Sequence, residues 1–301
     1  LIARYLVEAA QAEDAYAVAH GCTGKGNDQV RLDVGVGALA PELKVIAPTR
    51  DWSMSREDEL EYARARSLPV SPGNSEFSVD ENLWGRSAEA GELEDPWAEP
   101  PEEAYAWTSA VASAPDQAAY LVVHFEHGIP TAIDGENMAG VDLIRHLNTV
   151  AGNHGVGRID AVENRLVGIK SREIYEAPAA TVLHAAHRAL EAMTLSKEQA
   201  RTKDRIAQEY ADVVYNGLWF THHRQDLDAY VRSTQREVTG DVRLRLHKGT
   251  CTVAGRSAPR SLYQYRLATY DREDQYDHQA AEGFISIYGL PSRTQSQAQP
   301  D

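Results

Sequence analysis

Along the first 70 residues, helical spacing alternates with short apolar runs. Leu1, Ile2, Tyr5, Leu6 and Ala9 recur at helical intervals, so residues 1–13 are predicted to be a helix. AYAVAH at 15–20 reads as a buried strand, residues 28–40 as a helix, and LKVIAP at 43–48 as a second strand. SREDELEYARARS at 55–67 opens on a serine cap, with acids early and arginines late, the charge order a helix dipole favours. LPV at 68–70 reads as a short third strand. Strands and helices alternating at this spacing imply a parallel sheet with crossover helices, whose ligands bind beyond the carboxyl ends of the strands.

The pattern then changes. SPGNSEFSVDENLWGRS at 71–87 is loop-like, and GELEDPWAEPPEEAYAW at 91–107 is rich in acids and prolines, as a crossing between domains would be. Beyond it an α+β order follows. Strands are predicted at 119–126 and 130–134, a helix at 140–151, a strand near 157–162, and helices at 177–193, 196–216 and 225–238. DVRLRLHKG and TCTVAGRSA alternate apolar and polar residues across a KG turn, the pattern of a hairpin. The tail GLPSRTQSQAQPD is polar and reads as loose.

Composition narrows the function classes. With 45 acidic against 30 basic residues, the formal net charge is −15. Such a surface repels phosphate backbones, so no nucleic-acid partner is expected, and an anionic substrate needs a local positive site. No apolar run approaches the roughly 18 residues of a membrane span, so no membrane partner is expected either. The N-terminus has no basic stretch or cleavage site of a signal peptide. Cys22 and Cys251 are the only cysteines, and read as reduced thiols in a reducing cytoplasm. The chain opens on Leu in mid-helix, from which a missing natural start is expected.

HGCTGKGNDQVR at 20–31 follows the first predicted strand. It misses the Walker A spacing, because Ala19 stands where the first glycine would be and Gly26 follows Lys25. Gly21, Gly24 and Gly26 do not fit a dinucleotide fingerprint. Its bare N–H groups at a helix start still suit an anion, and Thr23, Asn27 and Asp28 could hold an amino acid's carboxylate and ammonium. An ordinary strand-to-helix turn capped by Asn27 or Asp28 explains the same spacing. In FSVDENLWGRS, Ser78 and Ser87 lie near Asp80 and Glu81, a set that turn chemistry also explains. HGVGRIDAVENRLVGIKSREIYEAP at 154–178 is dense in charge, with Glu163 and Tyr175 flanking a strand-like apolar centre. It reads either as a solvated loop or as charges several of which pair or face a polar cleft. His184 and His187 are three apart without further ligands, so no metal site is expected.

Taken together and in order, HGCTGKGNDQVR, FSVDENLWGRS, LEDPW, the 154–178 stretch, NGLWF and AEGFISIYGL resemble the argininosuccinate synthases, in the wording of the actinobacterial type. The resemblance spans nearly the whole chain. It implies a truncated Rossmann-like (adenine nucleotide α-hydrolase-like) parallel-sheet α/β domain at 1–70, an α+β synthetase domain at 71–288 and a flexible tail at 289–301. It implies a ligase in which the ureido oxygen of citrulline attacks the α-phosphate of ATP, accompanied by Mg2+. Aspartate then displaces AMP from the citrullyl-adenylate to give argininosuccinate. No covalent nucleophile is needed; the site positions and stabilises charge.

By matching positions the resemblance implies ATP contact at Gly21 and aspartate binding by Thr23, Asn27 and Asp28. It implies citrulline binding by Asn27, Arg31, Ser78, Ser87, Glu163 and Tyr175. It also implies a cytoplasmic homotetramer serving arginine biosynthesis and the urea cycle. This sequence departs from the family by lacking an SGGLDTS-type pyrophosphate loop and the citrulline-binding Tyr and Ser that precede this start. Leu32 replaces an aromatic, Gly85-Arg86 replaces His-Ile, and the C-terminal arm is shortened or altered. The chain alone is therefore expected to be inactive; the alternative reading is a non-catalytic amino-acid-binding remnant. An ATP-grasp enzyme or Rossmann dehydrogenase fits poorly, since neither its glycine spacing nor its acidic ribose partner is present.

Overall fold

The computed structural model describes residues 1–52, 54, 56–69 and 77–300. They form two compact units, Leu1–Arg260 and Ser261–Asp301.

The first unit opens with α1 (Ile2–Ala12), β1 (Ala17–Ala19), α2 (Asn27–Leu39) and β2 (Lys44–Ile46). β1 and β2 pair in parallel, Val18 beside Val45. Ala3, Val7 and Ala10 of α1 pack on Val18, Val36 and Ala40, with Leu32 and Phe220 at the edge of the same cluster. Thus Leu32 lies at the margin of this core. Two short helices follow, α3 (Pro48–Trp52) and α4 (Arg56–Ala65). α4 carries the predicted charge order; its expected cap, Ser55, lies outside the described residues. The expected third strand does not form over Leu68 and Pro69, and Val70 lies outside the described residues. Proline has no N–H to give a ladder.

The loop reading of FSVDENLWGRS is corrected: β3 (Ser78–Glu81) and β4 (Arg86–Glu89) form a hairpin. All four β3 positions are exposed, so the strand carries no hydrophobic alternation to announce it. β5 (Ala119–Glu126), β6 (Ile129–Ile133) and β7 (Glu136–Asn137) are followed by α5 (Gly140–Asn153). β8 (Arg158–Asn164) and β9 (Lys170–Glu176) pair antiparallel, so the charged stretch is a hairpin rather than a solvated loop. Next come α6 (Pro178–Thr194), α7 (Lys197–Tyr215) and α8 (His222–Thr234), the last displaced toward the N-terminus from its expected span. Thr221 accounts for that start, because its hydroxyl caps the N–H of Arg224. The predicted hairpin is β10 (Gly240–His247) with β11 (Thr250–Ser257).

These strands make two antiparallel sheets. One has the order β11-β10-β5-β6-β7, the other β3-β4-β9-β8. The first supplies the main core, where Leu121, Val123 and Phe125 of β5 meet Leu143 and Leu147 of α5 and Val182, Ala186 and Leu190 of α6. The second has two unlike faces. On one, Ala88 and Ile174 pack on Phe77, Leu93 and Ala104. The other is polar, with Ser87 beside Tyr175 in register and Ser78 opposite Glu89.

The acid- and proline-rich stretch is fastened behind the apolar face of that sheet. Glu176, 1% exposed, accepts hydrogen bonds from the backbone N–H groups of Ala106 (2.9 Å), Trp107 (2.8 Å) and Thr108 (2.8 Å), from Thr108 Oγ1 (2.7 Å) and from Arg86 (3.0 Å). Arg86 also donates to the carbonyl of Ala104 at 2.6 Å. Arg158 grips Glu102 with two 2.8 Å bonds and lies over the Tyr105 ring at 3.7 Å.

The second unit holds α9 (Tyr265–Ala268), α10 (His278–Tyr288) and α11 (Leu290–Ala298). The tail read as loose is therefore helical over α11, with Pro291 in its first turn, where the missing N–H costs nothing.

Candidate functional site

The glycine loop joins the carboxyl end of β1 to the start of α2. Gly26 occupies the cap position of α2, and no side chain caps it. The turn-capping reading of Asn27 therefore fails. Its amide instead reaches across the unit, donating to Tyr215 Oη at 2.9 Å and accepting from the Leu166 N–H at 2.8 Å. Arg165, beside it, reaches the Lys25 carbonyl at 3.4 Å. The β8–β9 turn is thus docked on the loop.

Behind the loop a polar chain fixes its shape. The Cys22 N–H donates to His20 Nδ1 at 3.2 Å, so Nε2 carries the proton given to Asp33 at 2.8 Å. Asp33 also receives Arg50 at 2.8 Å. Burial opposes ionisation of Asp33, but hydrogen bonds from Arg50 and His20 outweigh it and hold the carboxyl below its ordinary value. Gln29 bonds the Gly24 carbonyl at 2.6 Å and accepts from Arg50 at 3.3 Å. Arg50 and Arg31, the two arginines beside the loop, are each paired with a carboxylate, Asp33 and Asp28. Gly21, Gly24 and Gly26 have no positive φ, and a Cβ at Gly21 would meet only Thr49 Oγ1, at 3.9 Å. Neither conformation nor internal packing demands glycine there.

Glu163 and Tyr175 meet on the polar face of the second sheet. Tyr175 donates to Glu163 in a short bond and also lies 2.6 Å from Glu173. The other oxygen of Glu163 receives Tyr215 Oη at 2.9 Å. Burial raises the Tyr175 phenol far above its ordinary range, and hydrogen bonding to Glu163 and Glu173 raises it further, so it stays protonated. Arg165 is held between Glu89 and Glu173. Burial lifts the Glu89 carboxyl above its usual value despite that partner. One guanidinium therefore serves two carboxylates, while Glu163 has only phenols. The cluster has surplus negative charge and can accept a cationic group.

Arg31 closes the ring of contacts. Its Nε donates to the Tyr215 carbonyl at 3.0 Å, its Nη1 reaches Asp28 at 3.1 Å, and its guanidinium lies 5.0 Å from the Tyr215 ring centre. Gly217 permits this approach. It has φ +74°, and a Cβ there would sit 2.8 Å from Arg31 Cα. Gly217→Ala is expected to cost about 2–3 kcal/mol through left-handed strain and overpacking, read as a lower urea midpoint.

Of the expected site residues, the structure joins Asn27 to Glu163 through Tyr215, bonds Tyr175 to Glu163 directly and pairs Asp28 with Arg31. Ser87 is the cross-strand neighbour of Tyr175, and Ser78 lies on the outer strand opposite Glu89. Gly21 and Thr23 stay on the loop, Thr23 giving its carbonyl to the Gly26 N–H at 3.3 Å. Sequence reasoning missed Tyr215, Glu89, Arg50 and the His20–Asp33 pair, and gave Arg165 and Glu173, among the charges of 154–178, no particular role. The alternation in KSREIYE could have found Glu173, which shares a strand face with Tyr175. The histidine pair His184 and His187 is engaged elsewhere, His187 with Gln235 at 2.8 Å and His184 against the Trp84 ring. Among the described residues no group of three His, Cys, Asp or Glu is gathered to hold a metal, and no helix is long and apolar enough to cross a membrane.

Comparison with known families matches residues 1–69 to the Arginosuccinate synthase N-terminal HUP domain and residues 77–295 to the Arginosuccinate synthase C-terminal domain. A HUP domain followed by this synthetase domain defines a ligase. The argininosuccinate synthase of Dehalococcoides mccartyi (strain ATCC BAA-2266 / KCTC 15142 / 195) is 58% identical over 301 residues, all of this chain and 74% of that protein. The argininosuccinate synthase of Gloeobacter violaceus is 57% identical over 298 residues, 99% of this chain and 75% of that protein. That of Rubrobacter xylanophilus is 56% identical over 302 residues, 100% of this chain and 74% of that protein. The chain belongs to the argininosuccinate synthase family.

Proposed function

We propose that this ligase serves arginine biosynthesis by condensing citrulline and aspartate at the expense of ATP, through a citrullyl-adenylate, releasing AMP and pyrophosphate. The observation that carries the reading is the chain Asn27–Tyr215–Glu163–Tyr175, which links the start of α2 to the polar face of the second sheet. In this reading Glu163, with surplus negative charge about it, takes the citrulline ammonium, while Tyr175, Ser78 and Ser87 hold its other polar groups. Arg31 faces a carboxylate or ureido oxygen. Thr23, Asn27 and Asp28 hold aspartate, and Gly21 lets the nucleotide come close to the backbone. Such a site works by bringing two amino acids into one orientation, with no protein nucleophile.

Magnesium would arrive on the nucleotide phosphates, as hard cations with few protein ligands do. The assignment of 1–70 to the nucleotide half and 71–288 to the synthetase half, a cytoplasmic setting and a homotetramer belong to the same reading.

Titration of the 301-residue chain with citrulline by calorimetry is the test. Binding heat is expected, and its absence would overturn the reading. The same 301 residues hold no SGGLDTS-type loop. Supplied with ATP, citrulline and radiolabelled aspartate, they are expected to form no argininosuccinate; robust product would refute that part.

A further inference from the structure

We propose that Tyr215 is a positioning residue whose hydroxyl locks Asn27 of α2 to Glu163 of β8, fixing the carboxylate that receives citrulline. The inference rests on the citrulline reading above and adds to it a residue outside the set of ligand contacts. Tyr215 is the last residue of α7, 188 positions from Asn27 and 52 from Glu163.

The geometry leaves the hydroxyl one arrangement that satisfies its neighbours. An amide NH2 can only donate, so Asn27 Nδ2 gives its hydrogen to Tyr215 Oη at 2.9 Å. The single phenol proton is then available to an acceptor. Glu163 Oε2 stands at 2.9 Å and the Asn164 carbonyl at 3.3 Å, and the nearer, charged acceptor wins. The bond chain therefore runs in one direction, from amide to phenol to carboxylate. It also sets the amide of Asn27, because its Oδ1 must face the Leu166 N–H at 2.8 Å. Two of the polar ends assigned to substrates are thus oriented by one hydroxyl.

The rest of Tyr215 is held independently of that hydroxyl. Its carbonyl receives Arg31 Nε at 3.0 Å, and the Arg31 guanidinium lies 5.0 Å from its ring centre. Tyr215→Phe keeps both contacts and removes only the bridge. Burial, with the bond to Glu163 next in weight, raises the Tyr215 phenol above its ordinary value, so the proton stays on the bridge at neutral pH.

The experiment is a double-mutant cycle on citrulline affinity, read by calorimetry, with Tyr215→Phe, Glu163→Gln and the double variant. Tyr215→Phe is expected to weaken binding about tenfold and Glu163→Gln about 100-fold. If Tyr215 acts through Glu163, the double variant stays near 100-fold, because the carboxylate charge that the bridge positions is already gone. A double variant near 1,000-fold weaker, or Tyr215→Phe binding as the parent does, overturns the inference. A fallen urea midpoint for Tyr215→Phe would make the hydroxyl a structural group and overturn it as well. No citrulline binding by the parent chain would defeat the citrulline reading, and this inference with it, a result distinct from all the others.

Discussion

Glu176→Ala is expected to lower the unfolding free energy by about 3–5 kcal/mol, the range for breaking a buried ion pair from one side. The carboxylate is 1% exposed, and its loss strands Arg86, itself 8% exposed, as a buried cation with only the Ala104 carbonyl among the partners described above. It also removes the acceptor for the three consecutive N–H groups of Ala106, Trp107 and Thr108. Unsatisfied buried donors cost about 1–3 kcal/mol each unless water reaches them, and relaxation toward water keeps the total within the stated range. Urea denaturation followed by tryptophan fluorescence checks the figure. Glu176→Gln should recover only part of the loss, since its amide nitrogen presents a donor to a nest of donors. A change below about 1 kcal/mol for alanine would show that the network contributes little.

Glu163→Gln is expected to weaken citrulline binding about 100-fold, close to 2.8 kcal/mol, with little effect on the urea midpoint. The substitution preserves shape and removes the charge. The bonds from Tyr175 and Tyr215 can still be made to an amide oxygen on one side only, so one phenol turns to its other acceptor, Glu173 for Tyr175 or the Asn164 carbonyl for Tyr215. An ammonium bound by a carboxylate loses both a charge-assisted bond and the field that drew it in. Calorimetric titration of parent and variant reads the change directly. An unchanged affinity would remove Glu163 from the proposed contacts.

How much of this was legible in the sequence varies with the kind of signal. Helices α1, α5 and α7 showed themselves by periodicity, and the β10–β11 hairpin by strict alternation, because one face of each meets the core. β3 carried no such mark. Its residues are exposed on both faces, and pairing with β4 rather than burial makes it a strand. In β9 the alternation is real but reads as charge, since its inward positions include Glu176, a buried acid whose partners come from a stretch read only as irregular. The local polar loop at 20–31 could be found by inspection. Its connection to Tyr215 could not, because nothing in VVYNGLWF says which hydroxyl lies over Asn27. The folded chain makes that choice, through Gly217 and the close passage of Arg31 that it allows.

The bond between Asn27 and Tyr215 spans 188 positions. At synthesis rates of roughly 5–20 residues per second, a ribosome needs roughly 10–40 s to get from one to the other. During that interval Asn27 exists without the hydroxyl it bonds in the finished chain. A nascent or cleaved chain stopping short of Tyr215 would keep the Leu166 N–H on one end of the Asn27 amide and leave the other end without its phenol.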